Sequence, residues 1–247
     1  MGKVAAGFFS LTEITDPTEH HRYNEWHQLD HLPEQLPLDG VVFGQRWVCT
    51  PACRSARAAI STELDPIHYL TLYLMAEPLD RTLSQFVALA RRLRQEDRFH
   101  QHRRSHLSGP FELVDVQAAS RVRISAEAVP YRPNRGLYVI IDRPARPDDA
   151  SASDARTEQL LACDGVAGVW SFAARPTGAA EHWRPGDHRI TVCFLDADPL
   201  EVAAAVRPLL APWLEGDESA PVYAGPFETI TPWQWQWFDR EQNGNGH

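Results

Sequence analysis

A four-residue block occurs twice in this chain, as Gly109-Pro110-Phe111-Glu112 and again as Gly225-Pro226-Phe227-Glu228. Other landmarks precede both copies in the same order. Leu38-Asp39-Gly40-Val41 matches Cys163-Asp164-Gly165-Val166, and His68-Tyr69-Leu70-Thr71-Leu72 matches His188-Arg189-Ile190-Thr191-Val192. Ala76-Glu77-Pro78-Leu79-Asp80 matches Ala197-Asp198-Pro199-Leu200-Glu201, and Gly7 corresponds to Gly136. Each match is weak alone. Their shared order points to an internal duplication, which limits the chain to folds built from two like halves.

Each copy reads as strand, helix, two strands, helix and strand. In the first, strands are expected over Val4–Thr12, Val41–Val48, Ile67–Met75 and Phe111–Val122, with helices over Pro17–Leu32 and Arg81–Phe99. In the second, strands are expected over Leu137–Asp142, Val166–Ala173, Arg189–Leu195 and Phe227–Trp237, with helices over Asp149–Cys163 and Leu200–Leu214. Asp-Gly marks a turn before the second strand, and Gly-Pro a turn before the fourth. This is the split β-α-β-β-α-β order. The fold class is therefore α+β: two ferredoxin-like repeats fused into a barrel that stands in for a dimer. Residues 1–126 form the first repeat, 127–135 a linker, 136–240 the second repeat and 241–247 a disordered tail. The second copy is shorter, by about one turn in its first helix region and in the counterpart of the loop from Pro51 to Pro66.

Composition narrows the function classes. With 43% hydrophobic and 23% charged residues the chain is that of a soluble globular protein. A net charge of -9 argues against nucleic acid, whose phosphates need clustered cations. No apolar run approaches the ~20 residues of a membrane span. Cys49, Cys53, Cys163 and Cys193 are too few and too scattered for a disulfide framework or a zinc site, so reduced thiols in the cytoplasm are expected. No metal centre is expected.

In the third strand, Leu70, Leu72 and Leu74 alternate with Tyr69, Thr71 and Tyr73, and side chains two apart share a face. The leucine face is expected under the helices. The Tyr/Thr/Tyr face, matched by Arg189, Thr191 and Cys193 in the second copy, is then expected to line a cavity between the two sheets. Asp16-Pro17-Thr18-Glu19 starts the first helix, with Asp as cap and Pro in first position. Tyr23, Trp26 and Leu29 form its apolar stripe, with His27 and His31 beside it at i, i+4 spacing. Pro33 is expected to end the helix, leaving His31 in the last turn, where the carbonyl ends favour a protonated imidazole. His20 and His21 are expected in solvent. Trp233, Trp235 and Trp237 alternate with glutamines, which places three indoles on one strand face, either packed or forming an aromatic wall.

The run Tyr23-Asn24-Glu25-Trp26-His27-Gln28-Leu29-Asp30-His31-Leu32-Pro33-Glu34, followed by Asp39-Gly40-Val41 and Gln45-Arg46-Trp47, resembles the EthD-like family of dimeric α/β barrels. The resemblance covers about 30 residues of the first half. It implies a ligand between sheet and helices or within the barrel, and carries the family's histidine onto His31 and its strand arginine onto Arg46. The second half lacks a histidine and a following proline at the matching helix, which favours a single site. The leading reading is a cofactor-independent enzyme acting on a small cyclic or aromatic molecule by histidine acid–base chemistry, of isomerase, cyclase or lyase type. His31 and His27 are the candidate acid–base groups, and Tyr69 and Tyr73 the candidate donors to a carbonyl or enolate. Tyr23, Arg46, Arg189, Trp233 and Trp235 are the candidate substrate contacts. Two alternatives stay open: a haem enzyme of the chlorite dismutase-like branch, and a non-catalytic ligand-binding barrel. A small-molecule partner is expected, with the protein a monomer or a homo-oligomer.

Overall fold

The computed structural model describes residues 4–143, 150–175, 183, 185–215 and 221–239. The expected tail at 241–247 lies outside the described residues. The strands are β1 (Val4–Ile14), β2 (Val41–Val48), β3 (Ala59–Ile60), β4 (Tyr69–Ala76), β5 (Arg103–Ala118), β6 (Gly136–Asp142), β7 (Val166–Ala174), β8 (Arg189–Leu195) and β9 (Tyr223–Thr229). They join in the order β2-β4-β1-β5-β7-β8-β6-β9-β3, and β9 also returns to β2 through Trp47↔Thr229 and Val48↔Glu228. All but β3 thus close an antiparallel barrel, and the fold is α+β. Closure removes the open edges that each four-stranded sheet would otherwise carry.

The third-strand faces are the reverse of the expectation. Leu70, Leu72 and Leu74 join Ile190, Val192 and Phe194 in one buried cluster with Phe9, Trp170 and Phe227, drawn from both halves. That cluster fills the barrel. Tyr69, Thr71 and Tyr73 instead point outward beneath the first-half helices. The physical reason is solvation: a barrel interior of this size holds side chains only, so the purest apolar face goes there. The helix-covered face keeps a route to water and tolerates mixed chemistry.

α3 (Pro51–Ser55) is a short helix after β2, and two longer helices cover much of the outside. α4 (Leu79–Gln95) buries Leu83, Phe86 and Leu93, and packs on Ala6, Phe8, Tyr73 and Met75. α6 (Pro199–Leu214) buries Val202, Val206 and Leu210 against Tyr138, Ile140 and Leu195. α5 (Ala150–Leu161) covers the rest of the second sheet. A short 3-10 helix, Ala126–Tyr131, joins the halves, and Asn134 beyond it accepts from Trp47 Nε1 at 2.9 Å and from Thr229 Oγ1.

Gly109-Pro110 and Gly225-Pro226 are not turns. Both lie within strands, where Pro110 opposes Phe8 and Pro226 opposes Tyr138. From Phe111 onward β5 also pairs with β7 of the other half, and β9 pairs with β2 from Glu228. Each Gly-Pro therefore sits where a strand passes from its own sheet to the next, a bend at which a missing side chain and a missing N–H are tolerated. Strand β9 stops at Thr229, so Trp233, Trp235 and Trp237 are not on a strand.

Candidate functional site

The helical segment that carries the histidines runs on from Pro17 to Gln35 in four pieces. A 3-10 turn (Pro17–Glu19) is capped by Asp16, whose carboxylate accepts from Thr18 N at 2.9 Å. Then come α1 (His20–Trp26), a π-helical turn (His27–His31) and α2 (Leu32–Gln35). In the π turn the Leu32 N–H reaches back to the His27 carbonyl. Pro33 does not end the helix, because the widened turn before it eases the clash a proline ring makes with the carbonyl four residues earlier. The turn also changes which rings meet. His31 stacks on Trp26, five residues back, with ring centres 4.6 Å apart and 24° between planes. His27 meets His31 edge-on at 5.0 Å, and Phe99 closes the other side of His31 at 5.3 Å.

Beneath this turn lies a cavity of about 470 Å³, between the outer face of the first sheet and the helices above it. That volume suits a small organic ligand. Its floor is Phe8, Ser10, Thr12, Thr71, Tyr73, Arg103 and Ser105; its cover includes Tyr23, His27, His31, Gln35, Phe86, Arg94, Phe99 and His100. No aspartate or glutamate is among the described lining residues, although the chain as a whole is acidic.

The histidines and Tyr73 of this wall are uncharged and underpaired. Burial first, then the positive charges of Arg103, Arg46 and Arg98, push His31 down to about 3. Burial, then Arg46 and His31, hold His27 well below the usual imidazole range. Both rings are therefore neutral near pH 7, which corrects the expected helix-end stabilisation of protonated His31: the helix continues past it, and cations surround it. Burial raises the Tyr73 hydroxyl, which stays protonated. His27 Nδ1, His31 Nδ1 and Tyr73 Oη are enclosed without a hydrogen-bond partner among the described residues. Each such group costs about 1–3 kcal/mol unless something pairs with it. His27 Nε2 approaches Thr71 Oγ1 only at 3.5 Å.

Of the residues singled out in the sequence, His27, His31, Tyr23, Thr71 and Tyr73 meet at this cavity. The others lie elsewhere. Tyr69 is buried behind the wall, where its hydroxyl meets His20 Nδ1 and the Asn24 side-chain amide, both at 2.9 Å. His20 is thus buried, not solvated, and Phe238 stacks on it at 4.0 Å. Arg46 donates to Asn24 Oδ1 at 3.0 Å and lies over the Tyr23 and Tyr69 rings. Tyr69 and Arg46 therefore position the helix rather than line the cavity. Arg189 belongs to the second half, where it forks onto Asp142 with Nε donating at 3.1 Å. Trp233 is exposed and Trp235 buried against His21, away from the cavity. Leu29 is exposed as well, so the helix stripe stops at Trp26.

Arg103, Ser105, Ser10, Thr12 and Phe99 are among the lining residues that the sequence does not single out. Arg103 and Ser105 fall in the first part of β5, ahead of Gly109-Pro110, where a turn is expected; they lie in an unbroken polar run, Arg103 to His106, which carries no alternation to mark a strand.

No protein-family model matches this chain, and no curated protein matches it in sequence. Solved structures do match in shape. An anthrone oxidase-like protein aligns over 94% of this chain and 94% of its own at 9% identity, with a TM-score of 0.52. A chlorite dismutase-like protein aligns over 96% of this chain and 99% of its own at 7% identity, with a TM-score of 0.54. At such identities the likeness is one of fold alone: a closed antiparallel α+β barrel that matches the dimeric α/β-barrel folds of those structures.

Proposed function

We propose that the first-half cavity is the active site of an enzyme acting on a small cyclic or aromatic molecule by acid–base chemistry, of isomerase, cyclase or lyase type. The observation that carries this reading is the convergence of two neutral imidazoles and a protonated phenol on one cavity whose described lining holds no carboxylate. His31 takes a proton from the substrate and returns it at a second position, Tyr73 donates to the oxygen on which charge develops, and His27 holds the neighbouring edge. The aromatic rings of Tyr23, Phe86 and Phe99 suit a flat apolar body. Resemblance of the histidine helix to the EthD-like pattern supports the same assignment for His31.

The lining residues fit a haem poorly. A haem-ligating histidine generally donates its other ring N–H to a carboxylate or carbonyl, and the Nδ1 atoms of His27 and His31 have no such partner among the described residues. The floor where a macrocycle face would lie carries Ser10, Thr12, Thr71, Ser105 and Arg103. The reaction is read as cofactor-independent for these reasons. In the same reading the two halves descend from one duplicated unit, a view supported by the matching strand orders β2-β4-β1-β5 and β7-β8-β6-β9. The protein then works in the cytoplasm as a monomer or homo-oligomer, without nucleic acid. No helix among the described residues is long and apolar enough to cross a membrane.

Two measurements test this. The purified protein should show no Soret absorbance, and a Soret band would overturn the cofactor-free reading. Against a panel of cyclic and aromatic carbon acids, His31→Ala should lower kcat by roughly 10²–10⁴ while ligand affinity changes little. Turnover retained in that variant removes His31 from the chemistry.

A further inference from the structure

We infer that the molecule taken up by this cavity carries a carboxylate, seated by Arg103 on the hydroxyl-bearing floor. The inference rests on the cavity being the site proposed above and names the class of ligand it takes.

The arginines around the first-half helices differ in how they are matched. Arg98 is paired with Asp30, Glu34 and Glu96, Arg92 with Glu34, Arg57 with Asp65 and Arg81 with Asp39. Arg103 has no carboxylate within 4.0 Å among the described residues, though burial weighs against its charge. Its guanidinium lies over aromatic faces instead, 4.8 Å from the centre of the Phe99 ring and 5.6 Å from that of Trp26. Stacking of this sort occupies the flat faces and leaves the N–H edge available. Arg94, at the exposed rim, also lies over Phe99, at 5.1 Å. The nearby carboxylate of Glu19 is taken up by His100 at 3.3 Å and Arg22 at 3.0 Å.

The floor beside Arg103 is built to receive oxygen atoms. Arg103 and Ser105 share a face of β5, and Thr12 opposes Ser105 in register, just past a bulge between Leu11 and Thr12. Ser10 Oγ lies 3.2 Å from both Thr12 Oγ1 and Ser105 Oγ. Three rotatable hydroxyls next to one guanidinium fork suit a planar carboxylate, which takes two parallel N–H bonds and further hydroxyl donors. A phosphate would call for more cations on the floor or a cradle of backbone amides; the second cation of the lining, Arg94, is at the exposed rim, and the described lining holds no glycine.

Seating an anion there has a consequence for the proposed chemistry. Arg103 is the charge that most disfavours protonated His31. A carboxylate on Arg103 offsets that repulsion, so the imidazole becomes a better base when substrate arrives.

Calorimetry on the intact protein with 2-naphthoate and its neutral counterpart 2-naphthamide tests the inference. The wild type should bind the carboxylate at least roughly tenfold more tightly, the ratio expected of a charge-assisted hydrogen bond. Arg103→Gln should erase the preference while leaving affinity for the amide within about twofold, and Arg103→Lys should keep part of it. Equal affinity for the two probes in the wild type, no binding of the carboxylate, or a preference that survives Arg103→Gln would each overturn the inference. The wild-type comparison decides even if a variant does not fold. His31→Ala should retain the preference. If it does so with turnover intact, the acid–base reading fails and the anion seat stands; if turnover falls but the probes bind alike, only the anion seat fails.

Discussion

The same face of the same strand arrangement is open in one half of this barrel and closed in the other. Under the first-half helices lies the cavity of about 470 Å³; the corresponding space in the second half measures only about 10 Å³. There Ile140, Leu160 and Thr157 fill the gap, and Arg156 lies over Trp213 at 3.9 Å. Charge follows the same division. Arg189 of the second half is forked onto buried Asp142, whereas Arg103 of the first half faces no carboxylate among the described residues. A similar strand order therefore underlies both halves, and the larger cavity and the arginine without a carboxylate both fall in the first. Matched charge in one half is the internal control for unmatched charge in the other.

Acid should break the comparison most forcefully. His20, His27, His31 and His68 are all in the first half, and burial is the main cause holding each below the usual imidazole value, at about 4 for His20 and about 3 for His31 and His68. Because these folded values lie below the unfolded one, the unfolded chain binds more protons and stability rises with pH. The histidine contribution is complete above about 6.5 and drains as pH falls toward 3. Each of these rings must take up a proton that its folded surroundings resist, so the combined loss is the largest effect expected here. Hydrogen exchange at pH 4.5 against pH 7.5 should show β1, β4 and the histidine helix losing protection more than β6 and β8. Equal loss in both halves would contradict the assignment.

The second half should be vulnerable where its charge is matched. Asp142→Ala leaves Arg189 largely enclosed without its carboxylate, and removal of one member of a buried pair costs about 3–5 kcal/mol, less here because Arg189 keeps some solvent. Denaturant unfolding should show a loss of about 2–4 kcal/mol, while binding of the naphthoate probe to the folded protein is unchanged. A binding defect equal to the stability defect would mean that the two halves are coupled at the site.

Much of this architecture was legible because strand periodicity and the repeated landmarks are local signals. The Val41–Val48 and Arg189–Leu195 expectations coincide with β2 and β8. Which face turns inward was not legible from Leu70, Leu72 and Leu74 alone, because alternation separates two faces without saying which is drier. Gly109-Pro110 carries turn chemistry yet sits at a strand crossing, and reading it as a turn hides Arg103 and Ser105 on the strand before it. The histidine pair shows in the spacing, but the stack of His31 on Trp26 depends on a π turn that no residue pattern announces. Trp233-Gln234-Trp235-Gln236-Trp237 alternates as a strand does and is not one, since β9 has already completed its pairing by Thr229.

The smallest effect is also the most diagnostic of the asymmetry. An arginine that completes its pairing within the fold stabilises the free protein, and one reserved for a ligand does not. Arg103→Gln should therefore leave the ligand-free protein as stable as the wild type or raise it by about 1 kcal/mol, since an enclosed charge without a partner is removed. For a domain of this size that is a rise in Tm of about 2–4 °C. The matched change in the second half, Arg189→Gln, should lower Tm, because Asp142 then loses both of its guanidinium bonds. Differential scanning fluorimetry of the two variants reads the contrast directly. With 2-naphthoate present the order should change: the wild type gains stability from bound anion and Arg103→Gln does not. A fall in Tm for Arg103→Gln without ligand would show that this arginine holds the first half together, and the distinction drawn between the two halves would then rest on cavity volume alone.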